Sequence, residues 1–324
     1  MNGISVILCC HNSSGRLGET LKHLADQALP ENIPGEIVLV NNASTDDTAA
    51  KAAKEWAKHP SPIVLRVVDE EIPGHVFARM KGVNEAHYEM IVFCDDDNWL
   101  MDNYLGIAWE RMSQDPGIGA MGGRGIARST VPFPDWFESR KSGYACGEQW
   151  KKRGICTDRM YLWGAGLVSR KSILKEVFNP SYPMLCTGRK EGVMFSGDDM
   201  ELCKRIVLLG FELFYDPSLV YAHFLPASRL TKEYLEKLEE GVSLAIPVQR
   251  LYSYQIIRQR VPGPVLPFKL FGHIFLYLLL RLGFPVGKRK PIINWFKVYF
   301  QGIRKNGEYH GAFLQIKAQG SSKE

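Results

Sequence analysis

The sequence lacks several features that would place it in a familiar structural class. Its seven cysteines include no CxxC pair and form an odd set, with Cys9, Cys10 and Cys94 inside apolar stretches. This pattern favours reduced thiols over a disulfide framework or a zinc site. The longest uncharged apolar run, residues 270–280, has 11 residues, whereas about 20 are needed to cross a bilayer. We therefore expect a cytoplasmic protein without a transmembrane helix.

Two phosphate-binding motifs are also missing from the places where they would act. The first predicted strand is not followed by GxGxxG, and GxxxxGK[ST] occurs nowhere in the chain. The glycines of AMGGRG, residues 120–125, follow a short predicted strand and favour a bend or a close backbone approach over a phosphate role. Any phosphate of a ligand must therefore be held in another way.

Apolar runs of strand length alternate with amphipathic segments of helical length in the first hundred residues. Strands are predicted at 4–9, 36–40, 63–68 and 89–94, with helices after the first three at about 17–28, 49–58 and 74–86. This alternation indicates right-handed βαβ units and a parallel sheet, hence an α/β fold. Further along, residues 211–224 are predicted to form two short strands.

Charge is distributed unevenly along the chain. Residues 1–224 carry 24 basic and 29 acidic side chains, whereas residues 225–324 carry 16 basic and 6 acidic ones. We predict one domain at 1–224 and a basic, mostly helical extension at 225–324. The aromatic and basic residues around 270–290 are typical of an element that docks on an anionic membrane surface, and their apolar density argues against nucleic acid. A helical subdomain that only packs on the first domain is the alternative.

The stretch EMIVFCDDDN, residues 89–98, joins an apolar strand to three consecutive carboxylates. The carboxylates cannot continue into the core, because an unpaired buried charge costs far more than burial of the strand returns. They are expected at the carboxyl end of the strand, which is the edge where open α/β sheets bind ligands. Hard divalent cations prefer such oxygens and take further ligands from water and phosphate. The stretch predicts a metal-diphosphate site, with an acidic surface turn as the alternative.

Five segments form a specific pattern in chain order: ISVILCCHN, EIVLVNNASTDDT, PGHVFARMKGVNEAHYEMIVFCDDDN, GDDMELCKRI and YDPSLVYAHFLP. Together they resemble the large family two of nucleotide-sugar-dependent glycosyltransferases, which have the GT-A fold. The resemblance covers residues 4 to about 224, and no single segment would establish it. It implies a Rossmann-like mixed sheet flanked by helices, followed here by the helical extension.

The resemblance assigns roles to the carboxylates. Asp97 is expected to bind a divalent metal, Mg²⁺ or Mn²⁺, that bridges the diphosphate of the donor, while Asp95 or Asp96 completes the site and touches the ribose. Asp199 falls where the family places its catalytic base, and a carboxylate there can remove the proton of an acceptor hydroxyl. Helix capping by Asp198 and Asp199 is the structural alternative.

Two basic positions follow from the same resemblance. His223 in AHFLP corresponds to a position that often supplies a further metal ligand, although a structural histidine at a strand end would give the same sequence. Arg79 matches a basic residue that contacts the nucleotide, and a solvated helix arginine is its alternative.

The residues expected around the base depart from the family pattern. Asn41 and Asn42 stand where members usually carry an aspartate that accepts the imide proton of the base, and Cys9-Cys10-His11 replaces Pro-Thr-Tyr. Asn42 can still accept through its carbonyl and donate through its amide, and His11 can stack on a base. A UDP-sugar is the predicted donor, with guanine and deoxythymidine donors left open.

These features predict an inverting, metal-dependent glycosyltransferase. It would move a sugar from a nucleotide-diphosphate donor to a saccharide or lipid-linked acceptor at the cytoplasmic membrane face, in polysaccharide or glycan synthesis. A metal-dependent nucleotidyltransferase would use the same carboxylates to attack an α-phosphate, but no basic triphosphate-binding loop lies near the first strand. A membrane-bound scaffold on an inactive transferase fold is a third possibility, which the retention of every expected carboxylate disfavours.

Overall fold

The computed structural model describes residues 2–187, 196–260 and 310–321. Its strands are β1 (Ile4–Cys10), β2 (Gly35–Asn42), β3 (Val64–Glu70), β4 (Met90–Asp95), β5 (Asn98–Leu100), β6 (Ile118–Arg128), β7 (Gly154–Ile155), β8 (Val168–Arg170) and β9 (Glu212–Phe224). Its α-helices are α1 (Leu17–Ala25), α2 (Thr48–Trp56), α3 (His75–Glu85), α4 (Tyr104–Gln114), α5 (Phe137–Arg140), α6 (Lys171–Val177), α7 (Asp198–Leu208), α8 (Lys232–Arg260) and α9 (His310–Ser321). The first four predicted strands and the helices between them are therefore present close to their expected positions.

One mixed sheet organises the chain, with strand order β3-β2-β1-β4-β8-β6-β9-β5 and β7 paired to β9. Strands β3, β2, β1 and β4 are parallel, so their carboxyl ends share one edge. Strand β8 is antiparallel to β4 and β6, while β6 and β9 are parallel to each other. The predicted α/β fold with a mixed sheet flanked by helices is confirmed.

Helices cover both faces of the sheet, which explains why its central strands are apolar without interruption. Ile7 and Leu8 are successive residues of β1 and point to opposite faces, as the pleat requires. Ile7 joins a buried cluster with residues of α3, α6 and α7. Leu8 joins a second cluster with residues of α1, α2 and α4. Burial on both faces leaves the carboxyl-end edge as the place where polar side chains can gather.

Strand β9 differs from the prediction of two short strands. It is continuous over 13 residues because a bulge accommodates Pro217: the register with β6 passes from Gly122↔Tyr215 to Arg124↔Val220. At this bulge a Cβ on Gly123 would lie 1.8 Å from the Leu219 carbonyl oxygen. The glycine-rich stretch thus serves the close backbone approach that the sequence favours.

The described parts of the C-terminal region pack on the main sheet layer. Leu251, Tyr252 and Ile256 of α8 and Ile316 of α9 are buried in the same cluster as α7. Residues 270–280 and the basic residues at 288–290, which were predicted to dock on a membrane, lie outside the described residues. Within the described ranges, no helix is both long and apolar enough to cross a bilayer.

Glu201 of α7 organises the loop that precedes this helix. Its buried carboxylate accepts hydrogen bonds from the backbone N–H groups of Leu185 at 3.0 Å and Cys186 at 2.6 Å. It also pairs with Arg205 at 2.7 Å and accepts from the Tyr252 hydroxyl at 2.8 Å. Arg205 in turn donates to three backbone carbonyls, those of Val177, Tyr182 and Pro183. This network joins α6, α7 and α8.

Replacing Glu201 with glutamine should lower the free energy of unfolding by about 3 kcal/mol or more, because it leaves a buried arginine charge uncompensated. Glu239→Gln is the matched control: Glu239 is exposed and lies 3.5 Å from Arg140, so its loss should cost less than about 1 kcal/mol. Urea denaturation of both variants measures the two effects. Equal, small losses would show that the Glu201 network does not hold the helices together.

Candidate active site

The residues predicted to act together do meet at the carboxyl-end edge of the sheet. Asp95 ends β4 and lies beside Cys9 of β1, while Asn98 of β5 lies opposite His223 of β9. Helix α7 begins with Asp198 and Asp199, and the side chain of Asp198 is within hydrogen-bond distance of His75 in α3. Side chains that are more than a hundred residues apart in the chain therefore surround one site.

Asp96 points away from the centre of this site, toward α1. Its carboxylate lies 2.7 Å from Arg16 Nη2 and accepts a hydrogen bond from the Ser13 hydroxyl. Burial and the neighbouring Asp97 charge raise the pKa of Asp96, although Arg16 and Ser13 oppose them. Both contacts are to the same oxygen of Asp96, Oδ2, and the contact of Asp96 to the donor stays a prediction.

Asp97 is buried and forms a cluster with two cations. Its carboxylate lies 2.7 Å from Arg229 Nη1 and 3.4 Å from His223 Nε2. The Nδ1 atom of His223 donates to the Tyr144 carbonyl oxygen at 2.7 Å, which directs Nε2 toward Asp97. Burial alone would raise the pKa of Asp97, but the charges of His223 and Arg229 hold it below its usual range. Burial opposes the charged form of His223, yet Asp97 raises the pKa of His223 to about 10.

Asp97 and His223 have the chemistry and spacing to share a divalent cation. Two cis ligands of one metal ion lie about 3 Å apart, and Asp97 Oδ1 is 3.4 Å from His223 Nε2. The predicted third ligand, Asp95, faces His75 instead, and no three His, Cys, Asp or Glu side chains in the described part of the chain form a metal-binding group. A metal here would take its remaining ligands from phosphate and water, and Arg229 would have to release Asp97.

His75, the first residue of α3, joins the two acidic segments. Its Nε2 atom lies 3.1 Å from Asp95 Oδ1, and its Nδ1 atom lies 2.9 Å from Asp198 Oδ2. Arg79, one helical turn later, contacts the same Asp198 oxygen at 3.3 Å. Burial alone would raise the pKa of Asp198, but the hydrogen bond and charge of His75, together with Arg79, hold it below its usual range.

Asp199 differs from its neighbours because it has no ion-pair partner among the described residues. Its oxygens accept hydrogen bonds from the backbone N–H of Gly164 at 3.2 Å and from that of Met200 at 2.8 Å. Burial and the adjacent Asp198 charge raise the pKa of Asp199 to about 6. Two adjacent carboxylates with pKa values pushed apart are typical of an acid-base site, and Asp199 is the one suited to accept a proton near neutral pH.

Arg79 and Asn42, which were predicted to contact the nucleotide, both contact other groups of the protein. The Arg79 side chain is 3% exposed, and its guanidinium lies 4.9 Å from the Phe93 ring centroid. The Asn42 amide donates to the carbonyls of Glu70 and Ile72, and its oxygen accepts from the Gly74 N–H at 2.8 Å. Arg79 Nε is buried without a hydrogen-bond partner among the described residues, and the nucleotide contacts of both residues stay predictions.

His11 and Asn41 remain available at the predicted base position. His11 is exposed, and its Nδ1 atom donates to the Asn42 carbonyl oxygen at 2.7 Å, which fixes the ring. Asn41 donates to Asp69 at 2.8 Å, while its side-chain oxygen is buried without a hydrogen-bond partner among the described residues. Asn41 thus has the free acceptor that the sequence interpretation assigned to Asn42.

Sequence reasoning missed the cations that face the acidic residues, namely Arg16, His75 and Arg229. A signal existed for His75, because it lies four residues before Arg79 and the same face of a helix presents both. Arg16 and Arg229 meet Asp96 and Asp97 only through tertiary packing, and no local pattern indicates those contacts.

Comparison with known proteins identifies the family of the chain. The family model described as Glycosyl transferase family 2 matches residues 5–178. A poly-beta-1,6-N-acetyl-D-glucosamine synthase of Staphylococcus epidermidis is 23% identical over 218 residues, which are 67% of this chain and 48% of that protein. The uncharacterized glycosyltransferase YwdF of Bacillus subtilis is 31% identical over 102 residues, 32% of this chain and 35% of that protein. The chain spans about half the length of the first of these relatives.

Solved structures share the fold at low sequence identity. S. aureus TarS 1-349 in complex with UDP-GlcNAc has a TM-score of 0.56 at 16% identity, and the match covers 98% of this chain and 89% of that one. The mannosyltransferase PcManGT of Pyrobaculum calidifontis, in complex with GDP-Man and Mn2+, has a TM-score of 0.51 at 15% identity, with coverage of 100% and 88%. At these identities the likeness concerns the fold alone.

Proposed function

The chain belongs to glycosyl transferase family 2, and from this premise we propose that it is an inverting glycosyltransferase that uses a nucleotide-diphosphate sugar. The observation that carries the proposal is the isolation of Asp199: it is partly buried, has no ion-pair partner among the described residues, and lies beside Asp198, which His75 joins to Asp95. This arrangement separates a proton acceptor from the carboxylates that face cations.

In the proposed reaction, Asp199 removes the proton of an acceptor hydroxyl as its oxygen attacks the anomeric carbon. The bond from that carbon to the diphosphate oxygen breaks, and the nucleoside diphosphate leaves with the bonding electrons. Attack opposite the leaving group inverts the anomeric configuration. Backbone N–H groups of Gly164 and Met200 hold the two Asp199 oxygens, which fixes the direction from which the hydroxyl can approach.

Asp97 and His223 are the residues that would hold a divalent metal, Mg²⁺ or Mn²⁺, at the diphosphate. When bound, such an ion stabilises the charge that develops on the departing phosphate oxygen. Arg229, once it has released Asp97, can pair with a phosphate through its guanidinium. His11 and Asn41 form the side of the site that we propose for the nucleobase of the donor.

A uridine donor is supported by the TarS complex with UDP-GlcNAc, and a guanosine donor by the PcManGT complex with GDP-Man. We propose a UDP-sugar, because the free carbonyl oxygen of Asn41 can accept the uracil imide proton. A saccharide acceptor is consistent with the name of the Staphylococcus epidermidis relative. A lipid-linked acceptor and attachment to an anionic membrane surface through the basic region at 269–290 remain predictions.

A hydrolysis screen tests the donor proposal directly. Purified chain is incubated with Mn²⁺ and one of several UDP-, GDP- or dTDP-sugars, and the released nucleotide is identified chromatographically. Release of UDP from at least one UDP-sugar is the expected result. Release only from a GDP- or dTDP-sugar would overturn the assignment of the base, and no release from any donor would overturn the proposed activity.

The pKa of Asp199 predicts the acidic limb of the pH profile. Because the proton acceptor must be ionised and burial raises its pKa to about 6, kcat/KM should fall about tenfold for each pH unit below 6. Above that pH it should be level until another group titrates. Initial rates between pH 4.5 and 8 measure the limb, and a flat profile across about pH 6 would exclude Asp199 as the essential base.

A further inference from the structure

His75 is the one side chain that contacts both the carboxyl end of β4 and the start of α7 among the described residues of the site. Asp95 lies 20 residues later in the chain and Asp198 lies 123 residues later. The His75 side chain is 28% exposed, against 31% for Asp95 and 13% for Asp198. The imidazole therefore forms part of the wall between the two acidic segments.

Both ring nitrogens of His75 must donate in this arrangement. An ionised carboxylate can only accept a hydrogen bond, and a neutral imidazole has a single N–H. If either nitrogen carried a lone pair, that lone pair would face a carboxylate oxygen at about 3 Å with no proton between them. The geometry thus makes His75 a cation that bonds Asp95 on one side and Asp198 on the other.

Two other contacts hold the start of α7, one at the backbone and one at the Asp198 side chain. Gln249 of α8 donates to the Gly197 carbonyl oxygen at 2.9 Å, which holds the residue before α7. Arg79 contacts Asp198 from one turn deeper in α3 at 3.3 Å. His75 alone joins Asp198 to the strand end where the donor is proposed to bind.

We propose that His75 is a positioning residue for glycosyl transfer, holding Asp95 and Asp198 at a fixed separation so that Asp199, next to Asp198, directs the acceptor hydroxyl toward the donor. This inference rests on the proposed function, because it assigns Asp199 to the acceptor and Asp95 to the donor of the same reaction. A displacement of about 1 Å at a reacting group can lower a rate by about 100-fold. His75 would thus influence the rate without touching the transferred atoms.

Two isosteric substitutions each remove one of the two hydrogen bonds that His75 makes to Asp95 and Asp198. The amide nitrogen of glutamine lies near the position of imidazole Nε2, and that of asparagine lies near Nδ1. His75→Gln therefore keeps a donor toward Asp95 and loses the one toward Asp198. His75→Asn keeps the donor toward Asp198 and loses the one toward Asp95.

Each variant should change a different kinetic constant. We expect His75→Gln to lower kcat by about 30-fold with the donor KM within about threefold of wild type, since it releases the start of α7, which carries Asp199. His75→Asn should raise the donor KM by about tenfold with kcat within about threefold, since it frees Asp95. His87→Gln is the matched control, because His87 is 55% exposed and contacts Glu36 near the start of β2, at the opposite edge of the sheet.

Hydrogen exchange followed by mass spectrometry gives a readout that does not need turnover. Peptides covering the start of α7 should exchange about threefold faster in His75→Gln than in wild type and should be unchanged in His75→Asn. If wild type transfers sugar but both variants keep kcat and KM, or lose both constants equally, His75 does not position the site. If wild type transfers nothing, the proposed function fails, and hydrogen exchange alone then tests whether His75 holds Asp198. Equal exchange at the start of α7 in the two variants would overturn that role.

Discussion

Asp199→Asn should lower kcat by about 1,000-fold and leave donor affinity nearly unchanged, because the amide cannot accept the hydroxyl proton. Asparagine has the same shape, and its carbonyl oxygen can still accept one of the bonds that Gly164 and Met200 donate. Rapid-quench measurement of the transfer step, together with calorimetric donor binding, gives both quantities. Collapse of donor binding with a surviving rate constant would place Asp199 in the donor pocket.

The same substitution should not cost stability at neutral pH. Burial raises the pKa of Asp199 to about 6, above its value in the unfolded chain, so its contribution to stability is present below about pH 4 and is lost as the pH rises through 6. Removing the ionisable group avoids that loss, which is of the order of 3 kcal/mol. Asp26→Asn, at an exposed residue after α1, is the control and should change neither kcat nor stability. Loss of activity without loss of stability separates a chemical role from a structural one.

Asp97→Asn should lower transfer by more than about 100-fold and remove Mn²⁺ binding, since a metal at the diphosphate contributes several kcal/mol to the transition state. It should also destabilise the fold by about 3 kcal/mol, because Arg229 and His223 are left facing a neutral amide in a buried place. The substitution is therefore expected to carry a structural cost, because Asp97 is buried. Turnover and Mn²⁺ calorimetry measure the two outcomes.

A double variant separates these two effects. Asp97→Asn with Arg229→Gln removes one uncompensated cation together with the carboxylate, so it should recover stability by about 1–2 kcal/mol. Turnover and Mn²⁺ binding should stay lost, because Asp97 is still absent. Recovery of more than a tenth of wild-type turnover in either variant would show that Asp97 does not hold a metal.

The position of the site could be predicted from the sequence because burial rules determine it. Three consecutive acids after an apolar strand have to lie at the sheet edge, and the structure has Asp95 at the end of β4. Asp198 and Asp199 likewise begin an amphipathic helix. Both facts depend on local patterns of charge and hydrophobicity, and such patterns are visible without knowledge of the fold.

The partners of those acids could not be predicted in the same way. Arg229 reaches Asp97 because β9 returns beside β5 and a short 3-10 helix follows it at Ala227–Arg229. The side chain of Ser13, a residue type common at helix N-caps, bonds Asp96, and α1 begins at Leu17 without a side-chain cap. In each case a tertiary contact outweighs the local preference.

Phosphorus NMR of a reaction mixture tests the central claim most directly, since it reports which bond of the donor breaks. The mixture contains the chain, Mn²⁺, the UDP-sugar found in the hydrolysis screen and a saccharide acceptor. We predict that the two resonances of UDP grow as those of the donor decline, that no sugar 1-phosphate is formed, and that Asp199→Asn leaves the donor intact. Formation of sugar 1-phosphate would indicate attack on the α-phosphate by a nucleotidyltransferase, and UDP formation at an unchanged rate in Asp199→Asn would contradict the assigned base.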